Sequence, residues 1–346
     1  MFALPTAAPT PASDLKPETV VAFDRYVRAT EVRMQEDRHN DGFLVIDRLP
    51  PSRQRKAYDH VRAGEIYIQQ LHTREDGRSI DIPSGLIHHW VAVIFVPGKT
   101  LSQAVAVLQD YDVHQDIYKP EVRRSQLLEH SGDDAKIYLQ FYEKSIVTAV
   151  FNANFDVSYD GPDSTRFESM SRSTRIAEVQ DVGKQDEREL PVGHDRGFLW
   201  RMNSYWRVEE KDGGVYLQNE SIALTRRVPP IMAWIVNPLL ESIPRTLLSK
   251  LLFGTRDGMA RGKEGSRIID RAPLDEFAGP RSYFAGLTTV MERSMRTQRA
   301  GRLSWGTTRR SGPSLSGIGS PSSVSATRTP ESWTLLSSSA SANTAT

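Results

Sequence analysis

Val147-Thr148-Ala149-Val150-Phe151-Asn152-Ala153-Asn154-Phe155-Asp156-Val157-Ser158-Tyr159 is the stretch whose period decides the fold. Val147, Ala149, Phe151, Ala153, Phe155, Val157 and Tyr159 alternate with Thr148, Val150, Asn152, Asn154, Asp156 and Ser158. Successive strand side chains point to opposite faces, so one face is dry and aromatic and the other carries amides and hydroxyls. The same period returns in Phe198, Trp200, Met202, Trp206 and Val208, set against Leu199, Arg201, Asn203, Tyr205 and Arg207. Lys211-Asp212-Gly213-Gly214 supplies the positive-φ residues of a tight hairpin, and 215–225 returns as the next strand. Ser131-Gly132-Asp133-Asp134 joins 122–128 to 136–141, and Asp160-Gly161-Pro162-Asp163 joins the long strand to 166–176. This is a meander of about six strands.

Working outward, 87–96 is apolar on both faces and runs into Pro97-Gly98-Lys99-Thr100. Thr100 with Gln103 makes a capping box, and Leu101, Ala104, Val105 and Leu108 follow at helical spacing. At the far end Pro229-Pro230 stops the last strand, since neither proline can donate to a ladder. Ile231, Trp234, Ile235 and Leu239 then form one helical stripe, and Pro244 begins a second helix bearing Leu247, Leu248, Leu251 and Leu252. The order is strand, helices, six strands, helix. It predicts an α+β chain in which a curved antiparallel sheet of about seven strands wraps a C-terminal helix, an arrangement that can leave a cavity along its axis.

With that order in hand, four segments carry a resemblance: Pro97-Gly98-Lys99-Thr100-Leu101, Tyr205-Trp206-Arg207-Val208-Glu209, Asp212-Gly213-Gly214-Val215-Tyr216 and Ser221-Ile222-Ala223-Leu224-Thr225-Arg226. The chain resembles the START-like superfamily, also called SRPBCC, which includes lipid-transfer domains, polyketide cyclases and plant pathogenesis proteins. The resemblance covers about 85–255 and implies a helix-grip fold, with a sheet gripping a long C-terminal helix over an apolar cavity. Its motifs are structural, so no catalytic residue is carried over. One departure stands out: Gly254 and Gly258 are expected to interrupt the last helix after Phe253.

Outside that core the chain reads as a flexible segment 1–16, a helical and hairpin extension 17–84, the domain 85–255, and a low-complexity basic tail 256–346. Within the extension, 17–38 is an amphipathic helix with Val20, Phe23, Val27, Thr30 and Met34 on one stripe, either packed on the domain or offered to a protein partner. A short strand is expected over 43–46, a second helix over 52–61 ended by Gly64, and a hairpin of 65–72 with 79–82 turned through Asp76-Gly77. Between 302 and 346, 20 of 45 residues are Ser or Thr and only Glu331 is acidic, too little apolar surface to offset the entropy of ordering. That change of character reads as an unstructured tail, a shifted reading frame or a functional basic arm.

The net charge of +1 is unevenly placed, at +6 over 253–346 and −5 over the first 252 residues. A mildly acidic folded part argues against nucleic acid as a partner. The absence of cysteine removes disulfides, thiolate nucleophiles and thiolate-held metals together. No run reaches the ~18 apolar residues of a spanning helix. The Pro-, Ala- and Thr-rich 5–13 resembles the linker after a cleaved signal, which predicts an exported product if translation starts upstream and a cytoplasmic one otherwise.

Candidate chemistry is thin. His88 and His89 are strand neighbours facing opposite ways and so cannot share an ion, and no metal or cofactor site is expected. His114 and His194 could meet only through folding, Asp110, Asp112 and Asp116 read as a solvated face, and Glu209-Glu210 as surface charge. Gly262-Lys263 is followed by Glu264, which breaks the phosphate-loop pattern. Glu220 sits mid-strand. If Val215, Leu217, Asn219 and Ser221 face the cup, it faces solvent; in the opposite register Glu220 and Tyr216 become ligand contacts, with Arg201, Arg207 or Arg226 as partners. The residues expected to line the interior, as ligand wall or filled core, are Phe151, Phe155, Trp200, Met202, Trp206, Trp234, Leu247 and Leu248. The function that follows is binding or carrying a hydrophobic small molecule such as a lipid, isoprenoid or polyketide. The alternatives are a cyclase- or hydrolase-like enzyme using Glu220, Tyr205 or Arg201, and a protein-interaction module using 17–38.

Overall fold

The sheet is built from the hairpins that the turn residues dictate. Asp212 and Gly213, with φ of 57° and 74°, turn the chain between two long strands as that dipeptide's freedom in the left-handed region allows. The computed structural model describes residues 13–39, 42–144, 148–227 and 230–261, giving for 13, 39, 162 and 230–241 the backbone alone. All of them belong to one compact unit.

Eight strands run β1 (Tyr67–Gln70), β2 (Gly85–Pro97), β3 (Val122–Ser131), β4 (Asp134–Lys144), β5 (Thr148–Asp163), β6 (Arg166–Gln180), β7 (Arg201–Lys211) and β8 (Gly214–Arg226). Their spatial order is β1-β2-β8-β7-β6-β5-β4-β3, and Arg188–Glu189 pairs beside β6 as a ninth strand. Every pairing is antiparallel. The helices are α1 (Pro17–His39), α2 (Pro51–Arg62), α3 (Leu101–Gln109), α4 (His114–Ile117) and α5 (Pro230–Arg261). This is a helix-grip α+β arrangement, and its seven long strands are the seven expected from the sequence, by alternation, by turn residues and, for β2, by a run apolar on both faces.

The two faces of the sheet are covered by different parts of the chain. On the inner face Ala92, Ile94, Val208, Val215 and Leu217 pack with Leu101, Ala104 and Leu108 of α3 and with Leu248, Leu252 and Met259 of α5. On the outer face Phe23, Tyr26, Val27 and Met34 of α1 lie on Trp200, Tyr205, Ile222 and Leu224. Next to them the Phe43–Ile46 segment and Ala57 and Val61 of α2 cover Val91, Val93 and Tyr216. Each such side chain removed from water contributes about 1.5–3 kcal/mol, so the extension is a third layer of the domain.

Three local expectations are corrected. Phe43 to Ile46 do not form a strand; they lead into a 3₁₀ turn, Val45–Arg48. Side chains meet its donors, since Leu44 N donates to Asp47 Oδ2 at 2.7 Å and Val45 N to Gln218 Oε1 at 2.6 Å, and no ladder is needed. The segment 65–82 is not one hairpin: β1 pairs with β2 at the sheet edge, while Arg74–Glu75 and Arg78–Ser79 form a separate ladder. Finally, α5 is continuous through Pro238, Pro244, Gly254 and Gly258. A Cβ on Gly254 would lie 3.1 Å from Tyr118 Cδ1, and one on Gly258 3.2 Å from Val107 Cγ1. The glycines mark close packing of α5 against its neighbours, and burial of Leu248, Leu252 and Met259 outweighs their poor helix propensity. The tail expected from 256 onward lies outside the described residues beyond Arg261.

Candidate ligand-binding face

The strand register lines up small side chains across the middle of the inner face. Trp90 of β2 is opposite Ser221 of β8, which is opposite Ser204 of β7, which is opposite Ser171 of β6. One step further along, His88, Ala223 and Met202 occupy adjacent strands, with Ser173 and Phe155 paired on the next two. One step the other way come Ala92, Asn219, Trp206 and Ser169, at the border of the core packed under α3 and α5. Three serines abreast remove side-chain volume where a sheet under a helix would ordinarily carry Val, Leu or Phe.

Burial separates the two faces along the same strands. On the outer side His89, Val91, Asn203, Tyr205, Glu220, Ile222 and Leu224 are buried, whereas their inner neighbours His88, Trp90, Met202, Ser204, Ser221, Ala223 and Thr225 are only half-buried. Helix α1 and its following segment seal the outer face. The inner face is filled at the α3 end and water reaches it beyond Asn219.

That half-open surface is apolar with a few polar groups. Phe151, Phe155 and Ile176 form a buried floor, against which the half-buried Leu139, Phe141, Phe198 and Met202 pack. The His88 ring nitrogen Nε2 lies 3.0 Å from Thr225 Oγ1, and burial pushes the imidazole down to about 4, so it is neutral near pH 7. Asn219, 0% exposed, donates from Nδ2 to Ser204 Oγ at 2.8 Å. Its Oδ1 and the indole Nε1 of Trp90 are buried with no hydrogen-bond partner among the described residues. Each unmade bond costs about 1–3 kcal/mol, and both belong to side chains on this face.

The expected wall residues separate into three groups. Phe151, Phe155, Met202, Trp206 and Leu248 are on the inner side, Trp206 and Leu248 inside the filled core, and Leu247 is half-buried on α5. Trp200 is not on this face. It precedes β7 and therefore escapes the strand's alternation, packing instead in the outer layer with Nε1 donating to Asp195 Oδ1 at 3.0 Å. The side chain of Trp234 lies outside the described residues. Sequence reading missed Trp90, Ser171 and Ser204, and placed Asn219 and Ser221 toward the cup in only one of the two registers it left open. A usable signal was the serine string Ser169, Ser171 and Ser173, which puts three small hydroxyls on one face of a strand.

The groups nominated for proton transfer are on the opposite side of the sheet. The first register is the observed one, with Val215 and Leu217 toward α5, yet Glu220 does not meet solvent because α1 covers it. It accepts from His89 Nε2 at 2.7 Å and pairs with Arg33. Burial alone would raise its carboxyl, but the His89 hydrogen bond and the Arg33 charge outweigh that and hold it at about 2. Thr73 N donates to Tyr26 Oη at 2.8 Å, which sets Tyr26 to donate to His89 Nδ1 at 2.9 Å and His89 Nε2–H to donate to Glu220. Burial keeps that imidazole neutral.

Tyr205 donates to Glu31 Oε1 at 2.9 Å, its phenol pushed well up by burial and by that carboxylate. Arg201 bonds the carbonyl of Trp200. Tyr216 is in the outer core beside Asp212 and Arg62. Glu209 is no surface charge; it is buried and paired with Arg166 at 2.9 Å. His88 and His89 do face opposite ways, and His114, buried against the Val107 carbonyl, is far from the His194–Asp14 pair in its own short ladder. Among the described residues no three His, Asp or Glu side chains group to hold a metal, and no helix is long and apolar enough to cross a membrane.

A second crevice, about 650 Å³, lies on the outer side of β3 to β6, lined by Glu129, Asp134, Lys136, Asp156 and Arg172 among others. It carries charges of both signs, and it lacks the aromatic floor of the inner face.

No family model matches the chain, and no curated protein matches it. Solved structures do. Human STARD10 is 9% identical, with 63% of this chain and 82% of that one covered at a TM-score of 0.37. The Zhui aromatase/cyclase of Streptomyces sp. R1128 is 13% identical over 52% of this chain and 100% of its own, at 0.36. A STAR-related lipid transfer protein of Xanthomonas axonopodis is 15% identical over 56% and 99%, at 0.35. These belong to the superfamily that the sequence motifs resemble, and the fold of this chain is assigned on its own strand order, register and helix packing.

Proposed function

We propose that the protein binds or carries an apolar small molecule on the inner face of its sheet. The observation that carries this reading is the contrast along β2, β7 and β8, whose outer side chains are buried while the inner ones stay half-buried above an aromatic floor. Ligand carbons placed there would contribute about 25 cal/mol per Å² of apolar area withdrawn from water. The enzymatic alternative built on Glu220, Tyr205 and Arg201 has lost its residues to the outer layer. The stripe of 17–38 that would have met a protein partner is occupied by the sheet.

The test is to fill the space. Ala223→Phe puts an aromatic ring between His88 and Met202 on the inner face. Binding of N-phenyl-1-naphthylamine, followed by its fluorescence, should be saturable in the natural protein and lost in the variant, with unfolding still cooperative. Organic extraction of purified protein with mass spectrometry gives the complementary measurement. A probe that binds both proteins equally would refute the placement.

A further inference from the structure

The two unmade hydrogen bonds of the inner face are where the open and filled parts of it meet. Asn219 is one residue pair from the row Trp90, Ser221, Ser204, Ser171, on the side closed by α3 and α5. Its amide has one neighbour, the Ser204 hydroxyl, which can either accept or donate. Whichever way the amide is turned, one of its two polar atoms has no partner among the described residues. On the adjacent strand the Trp90 indole offers a donor with no acceptor among the described residues. Trp90 is opposite Ser221 and Asn219 is two residues before Ser221 on the same strand, so the two side chains are diagonal neighbours, roughly 7–8 Å apart in the backbone. Around them are Ala92, Met202 and the serines, with His88 in the next row and Gln70 of β1 across from Trp90.

From this we infer that the ligand is an apolar alcohol or phenol, bound with its hydroxyl against Asn219 and Trp90 and its hydrocarbon over Met202, Phe155 and Phe141. The inference rests on the binding reading above and narrows its ligand class. A hydroxyl gives and accepts a hydrogen bond at a single atom while carrying no charge. It can take the indole N–H while donating to the amide oxygen, or accept from the amide if that is turned. A carboxylate would also accept from Trp90, but it would bring a charge to a face whose one titratable side chain along these rows, His88, is held neutral by burial. A plain hydrocarbon would leave both bonds unmade.

The experiment compares 2-naphthol with 2-methylnaphthalene, which differ by a hydroxyl in place of a methyl, each displacing N-phenyl-1-naphthylamine from the full-length protein. The quantity read is the ratio of their two dissociation constants within each protein, which cancels any general change in the face. Replacing Asn219 by Leu should move that ratio about tenfold toward the hydrocarbon, the factor that loss of one buried hydrogen bond predicts. Trp90→Phe, which removes the N–H and keeps an aromatic ring, should move it the same way by a smaller factor and serves if Asn219→Leu does not fold. An unchanged ratio in both variants overturns the inference, because a bridging water or a purely structural amide would leave it fixed. If the probe binds but neither naphthalene displaces it, this inference is overturned and the binding reading stands; if the probe itself does not bind, the binding reading fails and takes this inference with it.

Discussion

The outer and inner faces of one sheet are made by alternate residues of the same strands, and they solve opposite problems. On the outer face charged groups are buried and paired: Glu220 with His89 and Arg33, Glu31 with Arg172 and Tyr205, and Arg207 with the carbonyls of Phe43 and Met34. Among the described residues the inner face carries no ion pair along its open rows; it has serines, Gln70, one neutral imidazole and two polar atoms without partners. Burial with ion pairing closes the outer face, although Arg48 Nε, Glu168 Oε1 and Glu209 Oε2 there also lack a hydrogen-bond partner among the described residues, whereas small side chains on the inner face leave room for a guest.

The largest expected effect comes from removing the cover. A protein lacking the first 64 residues, through α2, would expose Tyr216, Ile222 and Leu224 and leave Glu220 without Arg33. Such a truncation is expected to aggregate or to lose cooperative unfolding, as circular dichroism on heating would reveal. A soluble, cooperatively folding fragment would mean that the extension is an accessory and the comparison is wrong.

A sharper break uses two neighbours. Glu220→Ala leaves His89 and Arg33 facing an empty, desolvated site and should cost about 3–5 kcal/mol. Ser221→Ala, one residue on and facing the inner side, should stay within ~0.5 kcal/mol. Denaturant titration of both proteins decides the matter, and equal losses would erase the distinction between the faces.

Acid should act on the buried imidazoles next. His88 and His114 are each held at about 4 by burial against an ordinary 6.5, and His89 is lowered as well. In the unfolded chain they take up protons below about 6.5, and the folded protein resists until about 4, so stability falls as pH drops through that window. For His114 alone the loss is about 3 kcal/mol. Glu220, ordinarily near 4.5 and held at about 2, adds its own loss from about 4.5 downward. Free energies of unfolding measured between pH 7 and 4 should therefore slope downward with acid, and His114→Gln should flatten the slope.

How much of this was legible follows from which side chains the pattern leaves ambiguous. The strands were legible because 147–159 alternates strictly and Asp-Gly or Gly-Gly pairs sit between runs. The capping box of Thr100 and Gln103 was likewise readable and is formed, with Gln103 N donating to Thr100 Oγ1. The facing of β8 was not. Tyr216, Gln218, Glu220, Ile222 and Leu224 on one side and Val215, Leu217, Asn219, Ser221 and Ala223 on the other are equally mixed, because both faces are covered and a period of two no longer separates wet from dry. Partners of Glu220 came from Arg33, 187 residues away, and from the strand neighbour His89, neither of which spacing could indicate. Trp200 was misplaced because alternation was carried one residue beyond the strand that enforces it.

The smallest effect tests the glycines that the sequence made look like a helix end. Were Gly254 and Gly258 outside a helix, alanine at either would be nearly neutral. Inside α5 each substitution gains about 0.5–1 kcal/mol of helix propensity and must find room for a Cβ. At Gly258 the new atom meets the ends of Val107 and Ile117 side chains, at 3.2 and 3.4 Å, which can shift. At Gly254 it meets the Tyr118 ring at 3.1 Å and the Ile117 carbonyl oxygen at 3.3 Å. That ring is fixed by the 3.0 Å hydrogen bond of its hydroxyl to Thr255, and a backbone oxygen has no rotamer to change. Gly258→Ala should therefore raise the melting temperature slightly and Gly254→Ala lower it, by about 1 kcal/mol in stability. The opposite order would mean that the α5 end is not held against α4 as the inner core requires.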